Sequence, residues 1–324
     1  MPASPEPVHV VLLADRLILP GLHATLASLL RSARHPEQFH VHIILDSVGD
    51  EDKSLIRETF DLNARGASLS MVDHVPERPI GGGTLHGNTT VFGKMQIADL
   101  LPDVDRCIYL DADLIVTLDL ADLMAQIDDR AVLFVVPDVP RRKSLHRDLY
   151  RDHELDLDVP EANAGVVGFN LRRWREIDGL GICKGLARQY AGRFKSADQA
   201  IFNMGFANHL HWMDAKYNVL LYAGAFAVPV DATDAIYHLV GSPKPWNPLA
   251  RHFTRHYPLW RHYMQHTALK QYNAWSYTSP GKLLRLSRSY SRLGKVEIKR
   301  KIRKLRTGSE QRPSAAPATP RTER

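Results

Sequence analysis

Cysteine is scarce in this chain. There are two, Cys107 and Cys183, and neither sits in a metal-binding spacing. That excludes a disulfide scaffold and suits a reducing compartment. Cys107 falls inside an apolar run, where a thiol behaves as a small hydrophobe. Long apolar runs are also lacking. No stretch approaches the roughly 18–20 residues of a membrane-spanning helix, and the short Pro-rich start, Met1 to Pro7, holds no apolar run of signal-peptide length. The expectation is a cytoplasmic protein, with peripheral attachment to the inner face of a membrane left open. A P-loop is missing too: Gly81-Gly82-Gly83 follows Pro79 without the GxxxxGK[ST] spacing and reads as a flexible loop. No internal repeat is present.

The chain does have material for a core. Its 324 residues are 44% apolar, enough for one large α/β domain or two small ones. The net charge of +6 hides an uneven distribution. From Gly281 onward there are 14 Lys+Arg against 3 Asp+Glu, which leaves 28 basic and 33 acidic residues in the body. The basicity belongs to a tail, and a nucleic-acid-binding body is excluded.

The order of patterns predicts the fold class. Val8 to Ala14 is a short apolar run fit for a central strand. Leu17 to Leu30 carries Leu22, Leu26, Leu29 and Leu30 at helical spacing. Phe39 to Leu45 reads as a strand, Asp50 to Phe60 as a helix with acidic residues at its start, and Ser68 to Val72 as a third strand. Strand–helix–strand–helix–strand implies a mostly parallel, doubly wound sheet. Asn88 to Leu101 reads as a helix leading into the strand Arg106 to Leu110, and Ala131 to Val136 as a strand ending at Pro137-Asp138. The charged stretch Arg141 to Asp158 reads as a solvated surface excursion or lid. Asn163 to Asn170 is a strand with close backbone approach at its glycines. Leu180 to Tyr190 and Ala197 to Phe206 look helical. In the tail, Leu283, Leu286, Tyr290 and Leu293 share one helical face, as do Ile298, Ile302 and Leu305, with Gly294 as a candidate break. The expected organisation is a disordered start over 1–7, a body over 8–280, a basic amphipathic helical segment over 281–306 and a disordered tail over 307–324.

Asp111-Ala112-Asp113 closes the strand Arg106 to Leu110. Two carboxylates at this spacing repel each other unless a cation sits between them. Hard oxygen donors suit Mg²⁺ or Mn²⁺, ions that keep open positions for water and substrate phosphates. The plain alternative is a turn after a strand. In open α/β sheets ligands bind beyond the carboxyl ends of the strands. Asp15, Asp111, Asp113, Asp138 and His238 all follow apolar runs, so a parallel sheet gathers them on one edge, where His238 is a candidate third metal ligand.

Four segments, in order, resemble glycosyltransferase family 8, which includes bacterial lipopolysaccharide glucosyl- and galactosyltransferases and glycogenin-like enzymes. They are Thr90-Val91-Phe92-Gly93-Lys94 through Tyr109-Leu110-Asp111-Ala112-Asp113; Asn163-Ala164-Gly165-Val166 with Asn170-Leu171-Arg172-Arg173-Trp174; Asp198-Gln199-Ala200-Ile201-Phe202-Asn203; and His238-Leu239-Val240-Gly241-Ser242-Pro243-Lys244-Pro245-Trp246. Together they span roughly residues 8–262, and His-x-x-Gly-x-x-Lys-Pro-Trp is the most specific.

The resemblance implies a retaining hexosyltransferase of the glycosyltransferase A type, a single Rossmann-like nucleotide-binding domain that moves glucose or galactose from a UDP-sugar to a saccharide or glycolipid acceptor with Mn²⁺. It further implies Asp111, Asp113 and His238 as metal ligands and Asp15 at the uracil edge. Lys94, Ala112, Gly241 and Lys244 would lie along the donor, with Asp138 and Asn163 around its sugar and Asp198 and Gln199 at the reacting centre. Lys94 stands where many members have Arg, so a point charge replaces a bidentate fork. Leu17 and Ala200 replace polar residues common in the family. Trp246 fits a packing anchor or a sugar platform equally. The basic segment 282–306 suits an anionic membrane surface or a helix packed on its own domain.

Two rivals remain at this level. Asp111-Ala112-Asp113-Leu114 superficially fits a haloacid-dehalogenase-type phosphatase, though that family places its motif on the first strand. A catalytically silent carbohydrate-binding or scaffold protein of the same fold is the other; intact Asp111, Asp113, His238 and Lys244 argue against it.

Overall fold

The computed structural model describes residues 7–74, 90–224 and 227–307, with 90, 91, 197 and 296–307 described by backbone alone. Its strands are β1 Val8–Asp15, β2 Phe39–Asp46, β3 Ser68–Asp73, β4 Arg106–Leu110, β5 Leu114–Val116, β6 Leu133–Pro140, β7 Pro160–Asn170, β8 Leu210–Trp212, β9 Val219–Leu220 and β10 Ile236–His238. Its helices are α1 Leu19–Ser32, α2 Asp50–Asp61, α3 Ile97–Leu100, α4 Ala121–Met124, α5 Arg147–Asp152, α6 Leu171–Glu176, α7 Gly179–Gln189, α8 Ala197–Gly205, α9 Tyr257–Met264 and α10 Pro280–Thr307.

Seven strands form a central sheet in the order β3-β2-β1-β4-β7-β6-β8. All neighbours are parallel except β7, which runs against both β4 and β6. Alternation along β1 explains the two layers around it. Val8, Val10, Leu12 and Ala14 pack with Leu22, Leu26 and Leu29 of α1. Val11 and Leu13 point the other way, into a cluster with Cys107, Tyr109, Phe169, Trp174 and Phe202. A smaller sheet, β5-β10-β9, lies across α1. Its Ile115, Leu221 and Leu239 pack with Ala24 of α1 and with Trp246 and Trp260.

Local chemistry sets several boundaries. Asp50, Glu51 and Asp52 place negative charge at the start of α2, where the helix dipole favours it. The Asn170 side chain accepts the Arg173 amide at 3.0 Å and caps α6.

Four expectations need correction. The segment expected to be a helix over 88–101 is a 3-10 turn over Thr90–Gln96 followed by the single turn of α3; residues 75–89, including Gly81-Gly82-Gly83, lie outside the described residues. α10 runs straight through Gly294, because one glycine costs a helix only about 1 kcal/mol relative to Ala. The stretch Arg141 to Asp158 is only partly solvated: Arg141, His146, Leu149 and Tyr150 are buried. His238 sits on β10 of the smaller sheet and does not follow a strand of the main one. No helix among the described residues is long and apolar enough to cross a membrane.

Candidate active site

Strand direction assembles the site. Asp15 ends β1, Asp111 follows β4, and Asp138 lies near the end of β6, which points the same way. Because β7 is reversed, its early residue Asn163 reaches that same edge. His238 arrives from the second sheet, paired antiparallel with Leu114, next to Asp113. Backbone bonds lock the junction: the Asp111 amide donates to Gly165 at 2.8 Å, and the Leu239 amide to Asp113 at 2.9 Å.

Asp111, Asp113 and His238 thereby present donor atoms that all lie within 4.8 Å of one another. His238 Nε2 is 3.2 Å from Asp113 Oδ1 and 3.8 Å from Asp111 Oδ2. The tautomer follows from a chain of hydrogen bonds. Asn163 Oδ1 accepts the Gly165 amide at 2.9 Å and Asn218 Nδ2 at 2.7 Å. That fixes Asn218 Oδ1 as the acceptor for His238 Nδ1, 3.0 Å away. Nδ1 therefore donates to Asn218, and Nε2 is the ring nitrogen turned toward the carboxylates, where it can ligate a cation. Asp113 Oδ1 is buried without a hydrogen-bond donor. A buried, unsatisfied carboxylate oxygen beside a second carboxylate and an imidazole nitrogen is the donor set a cation completes, so these side chains fit a hard divalent ion.

Two lysines balance the acidic groups. Lys244 Nζ donates to Asp113 Oδ2 at 2.5 Å and to the Leu239 carbonyl. Burial opposes ionisation of Asp113, but the Lys244 ammonium outweighs it and holds its carboxyl well below the usual range. Lys94 is 4% exposed and reaches three oxygens: Asp111 Oδ1 at 2.9 Å, Asp198 Oδ2 at 2.6 Å and the Ala164 carbonyl at 3.0 Å. Burial works against its charge, while Asp111 and Asp198 override this and raise its proton affinity above that of a free lysine. Tyr109 adds a hydroxyl donor to Asp111 Oδ1 at 2.7 Å.

Two glycines make the packing feasible. A Cβ on Gly165 would lie 2.3 Å from His238 Cε1, so only glycine lets the imidazole rest on β7. A Cβ on Gly21 would lie 2.3 Å from the Ala112 carbonyl and 2.7 Å from the Trp246 ring. Ala112 and Trp246 are both buried against α1, which makes Trp246 a packing anchor.

Asp198 stands in the first turn of α8 and is 4% exposed. Its oxygens are both engaged, Oδ2 by Lys94 and Oδ1 by Ser196 Oγ at 3.1 Å. The neighbouring Gln199 side chain bonds to Glu161, a buried carboxylate that also accepts the Tyr150 hydroxyl at 2.5 Å. His146 completes this network. Its Nε2 accepts the Ser196 amide at 3.0 Å, so its Nδ1 donates to Glu161 Oε1 at 3.3 Å. The excursion over 141–158 is thus tied to the start of α8.

At the other side, Asp15 Oδ1 accepts the Leu17 and Ile18 amides at 2.8 and 3.1 Å. Burial raises its pKa despite those bonds. Gly241 has φ +78°, a left-handed conformation that favours glycine, and opens the loop carrying Lys244. The start of α10 rests on this loop: Leu286 is buried, Tyr290 donates to the Pro248 carbonyl and stacks near Phe253 at 4.6 Å, and Ser289 Oγ lies 3.3 Å from Ser242 Oγ. Lys282 is electrostatically linked to Asp15 and Lys244.

Every candidate from the sequence sits in this region, but several contributors gave no pattern to find. Asn218 precedes a two-residue strand, and Glu161, His146 and Tyr150 fall in or beside a charged stretch. Lys282 belongs to the basic helical segment, whose composition gave no sign of a place beside Asp15.

Comparison with known proteins agrees with this geometry. The glycosyl transferase family 8 model matches residues 9–250. Glycosyltransferase GlyA of Streptococcus pneumoniae is 29% identical over 187 residues, 56% of this chain and 25% of that protein. Probable galacturonosyltransferase-like 6 of Arabidopsis thaliana is 32% identical over 135 residues, 37% of this chain and 36% of that one. The chain thus aligns with about a quarter to a third of the length of these relatives. Among solved structures, galactosyltransferase LgtC in complex with donor and acceptor sugar analogues superposes with a TM-score of 0.67 at 19% identity, covering 80% of this chain and 96% of LgtC. GlyE of Streptococcus pneumoniae superposes at 0.58 with 21% identity, covering 85% and 65%. At these identities the likeness shows the fold, the glycosyltransferase A type, while the family model spans most of the chain: the protein belongs to glycosyltransferase family 8.

Proposed function

We propose that this glycosyltransferase is a retaining hexosyltransferase that moves glucose or galactose from a UDP-sugar to a saccharide or glycolipid acceptor with Mn²⁺, Mg²⁺ being the alternative ion. The observation that carries the reading is the convergence of Asp111, Asp113 and His238 around an unsatisfied buried oxygen. When bound there, a divalent ion supplies charge to the donor diphosphate. Lys244, already beside Asp113, adds a second positive group where negative charge grows as the sugar departs. Asp15, Ala112 and Gly241 line the nucleotide side, and Asn163 and Asp138 orient sugar hydroxyls. Asn163 Nδ2 lies 3.2 Å from Asp138 Oδ2, so the two act as a unit.

Asp198 is a poor nucleophile here, because Lys94 and Ser196 hold both its oxygens. We therefore favour attack from the face the leaving group vacates. The acceptor oxygen bonds to the anomeric carbon, the anomeric carbon–phosphate oxygen bond breaks, and the acceptor proton passes to the departing phosphate oxygen. Asp198 and Gln199 face the positive charge that builds on the ring. Isolation of a sugar covalently attached to Asp198 would count against this route.

The basic face of α10 suits an anionic membrane surface near a lipid-linked acceptor. Leu286 and Tyr290 already pack on the domain, so charge rather than an apolar face would carry that contact. Replacing Arg288, Arg292 and Lys295 by Glu should abolish pelleting with anionic vesicles, and unchanged pelleting would reject it.

The deciding experiment is UDP release from UDP-glucose and UDP-galactose, with and without acceptors, under Mn²⁺ and then with excess chelator. Full turnover with chelator would refute the metal assignment, and absence of UDP release from every hexose donor would refute the donor class.

A further inference from the structure

A second group of potential metal donors lies at the opposite end of the sheet. Parallel pairing sets His9 of β1 beside His40 of β2. The period of two puts His42 on the same face as His40, the face shared by Val11, Leu13 and Ile44. One ring nitrogen from each histidine lies within 4.8 Å of the other two. His9 Nδ1 is 3.0 Å from His42 Nε2, and the His40 and His42 rings stack with centroids 4.1 Å apart. Ser70 Oγ, 2.8 Å from His40 Nε2, orients that ring as outer partners orient ligating imidazoles.

We propose that His9, His40 and His42 form a second metal site, selective for a borderline transition ion such as Zn²⁺ over Mn²⁺ or Mg²⁺. A strand pair at spacing two plus one cross-strand histidine brings three nitrogens within 4.8 Å of one another; turning the His40 ring off its stack on His42 points all three at one ion and leaves a fourth position for water. Nitrogen ligands at about 2.0–2.1 Å around a tetrahedral ion stand about 3.4 Å apart, so the His9–His42 pair needs little movement. His9 and His40 are only half-buried, which gives an ion access. The donor chemistry sorts the two sites: imidazoles favour zinc, copper or nickel, whereas the carboxylate-bearing cluster favours harder ions. His9 precedes Asp15 by six residues on one strand, about 20 Å at 3.3 Å per residue, so this ion braces β1 against β2 away from the donor edge.

The test uses the full chain, stripped with chelator and dialysed against micromolar free Zn²⁺. His9→Ala and His40→Gln should each retain one zinc equivalent fewer than the wild type and keep the Mn²⁺-supported activity, whereas Asp113→Asn should lose activity and still retain the zinc held by the histidines. Zinc should raise the melting temperature of Asp113→Asn by about 5 °C at 100-fold excess over Kd. In the wild type, the imidazole NMR signals of His9, His40 and His42 should shift on zinc addition, which keeps the test decisive if a variant misfolds. Equal zinc content in wild type and His9→Ala, or imidazole signals indifferent to zinc, would overturn the proposal. Because it does not depend on the sugar donor, failure of the transferase assay leaves this result interpretable.

Discussion

Gly165→Ala is the sharpest perturbation the site offers. The added methyl would stand 2.3 Å from His238 Cε1, 2.6 Å from its Nδ1 and 3.1 Å from Asn163 Oδ1. Ordinary carbon contacts begin near 3.5 Å, so the ring must retreat by about 1 Å or more. Overpacking costs about 1–3 kcal/mol. Moving the ring also strains the Asn218 bond, worth about 1 kcal/mol, that fixes its tautomer. Displacing the third ligand should weaken Mn²⁺ binding about 10–100-fold, the usual effect of disturbing a ligand's support. The assay has two arms. Urea unfolding without metal reports stability, and the EPR signal of free Mn²⁺ reports affinity. Both are repeated in His238→Ala, where the vacated ring volume accepts the methyl. There Gly165→Ala should cost less than about 0.5 kcal/mol and leave the residual affinity unchanged, a coupling of about 1 kcal/mol or more. Wild-type affinity in Gly165→Ala, or an equal penalty in both backgrounds, would refute the reasoning.

Lys94→Met should destabilise the protein by about 3–5 kcal/mol at pH 7.5, because Asp111 and Asp198 lose the cation between them. A urea midpoint within error of wild type at pH 7.5 would contradict it. Acid should also weaken the wild type through buried histidines. Burial holds His23 down to about 3 and His256 down to about 4, below an unfolded value near 6.5. The unfolded chain therefore binds more protons in that window, so this stability is complete above pH 6.5 and declines as pH falls toward the folded values. At pH 5 the loss is on the order of 2 kcal/mol per histidine. Urea midpoints from pH 7.5 to 5, measured with chelator, should fall accordingly, and His23→Asn should show a shallower decline; a flat profile would exclude this cause.

The main sheet was legible because its central strands are apolar runs of five or more residues punctuated by acidic ones. The smaller sheet was not, because β5, β9 and β10 hold two or three residues each and exist through tertiary pairing. Asp111 and Asp113 announce themselves by spacing; His238 needed a motif, since nothing local shows that β10 lies against β5. Asn218 carries no signal at all: its role depends on a hydrogen-bond chain through Asn163 that only the fold creates. The charged excursion misled because composition cannot reveal that Glu161 draws His146 and Tyr150 inward. The start of α10 follows the packed-helix alternative: its basic residues share a helix with Leu286 and Tyr290, which dock on the Lys244 loop.

The donors of the Asp111–Asp113–His238 cluster come from both sheets, and their supports Asn163 and Asn218 from two further segments. Such a site cannot exist in a half-assembled chain. A partly folded species that has built only the first three strands has nothing to offer a hard cation, so occupancy reports completion of the whole architecture. Through mass action, an ion that recognises only the finished state draws late intermediates forward. Chaperone dependence and proteolytic survival of this glycosyltransferase should then track the free level of the divalent ion this cluster takes.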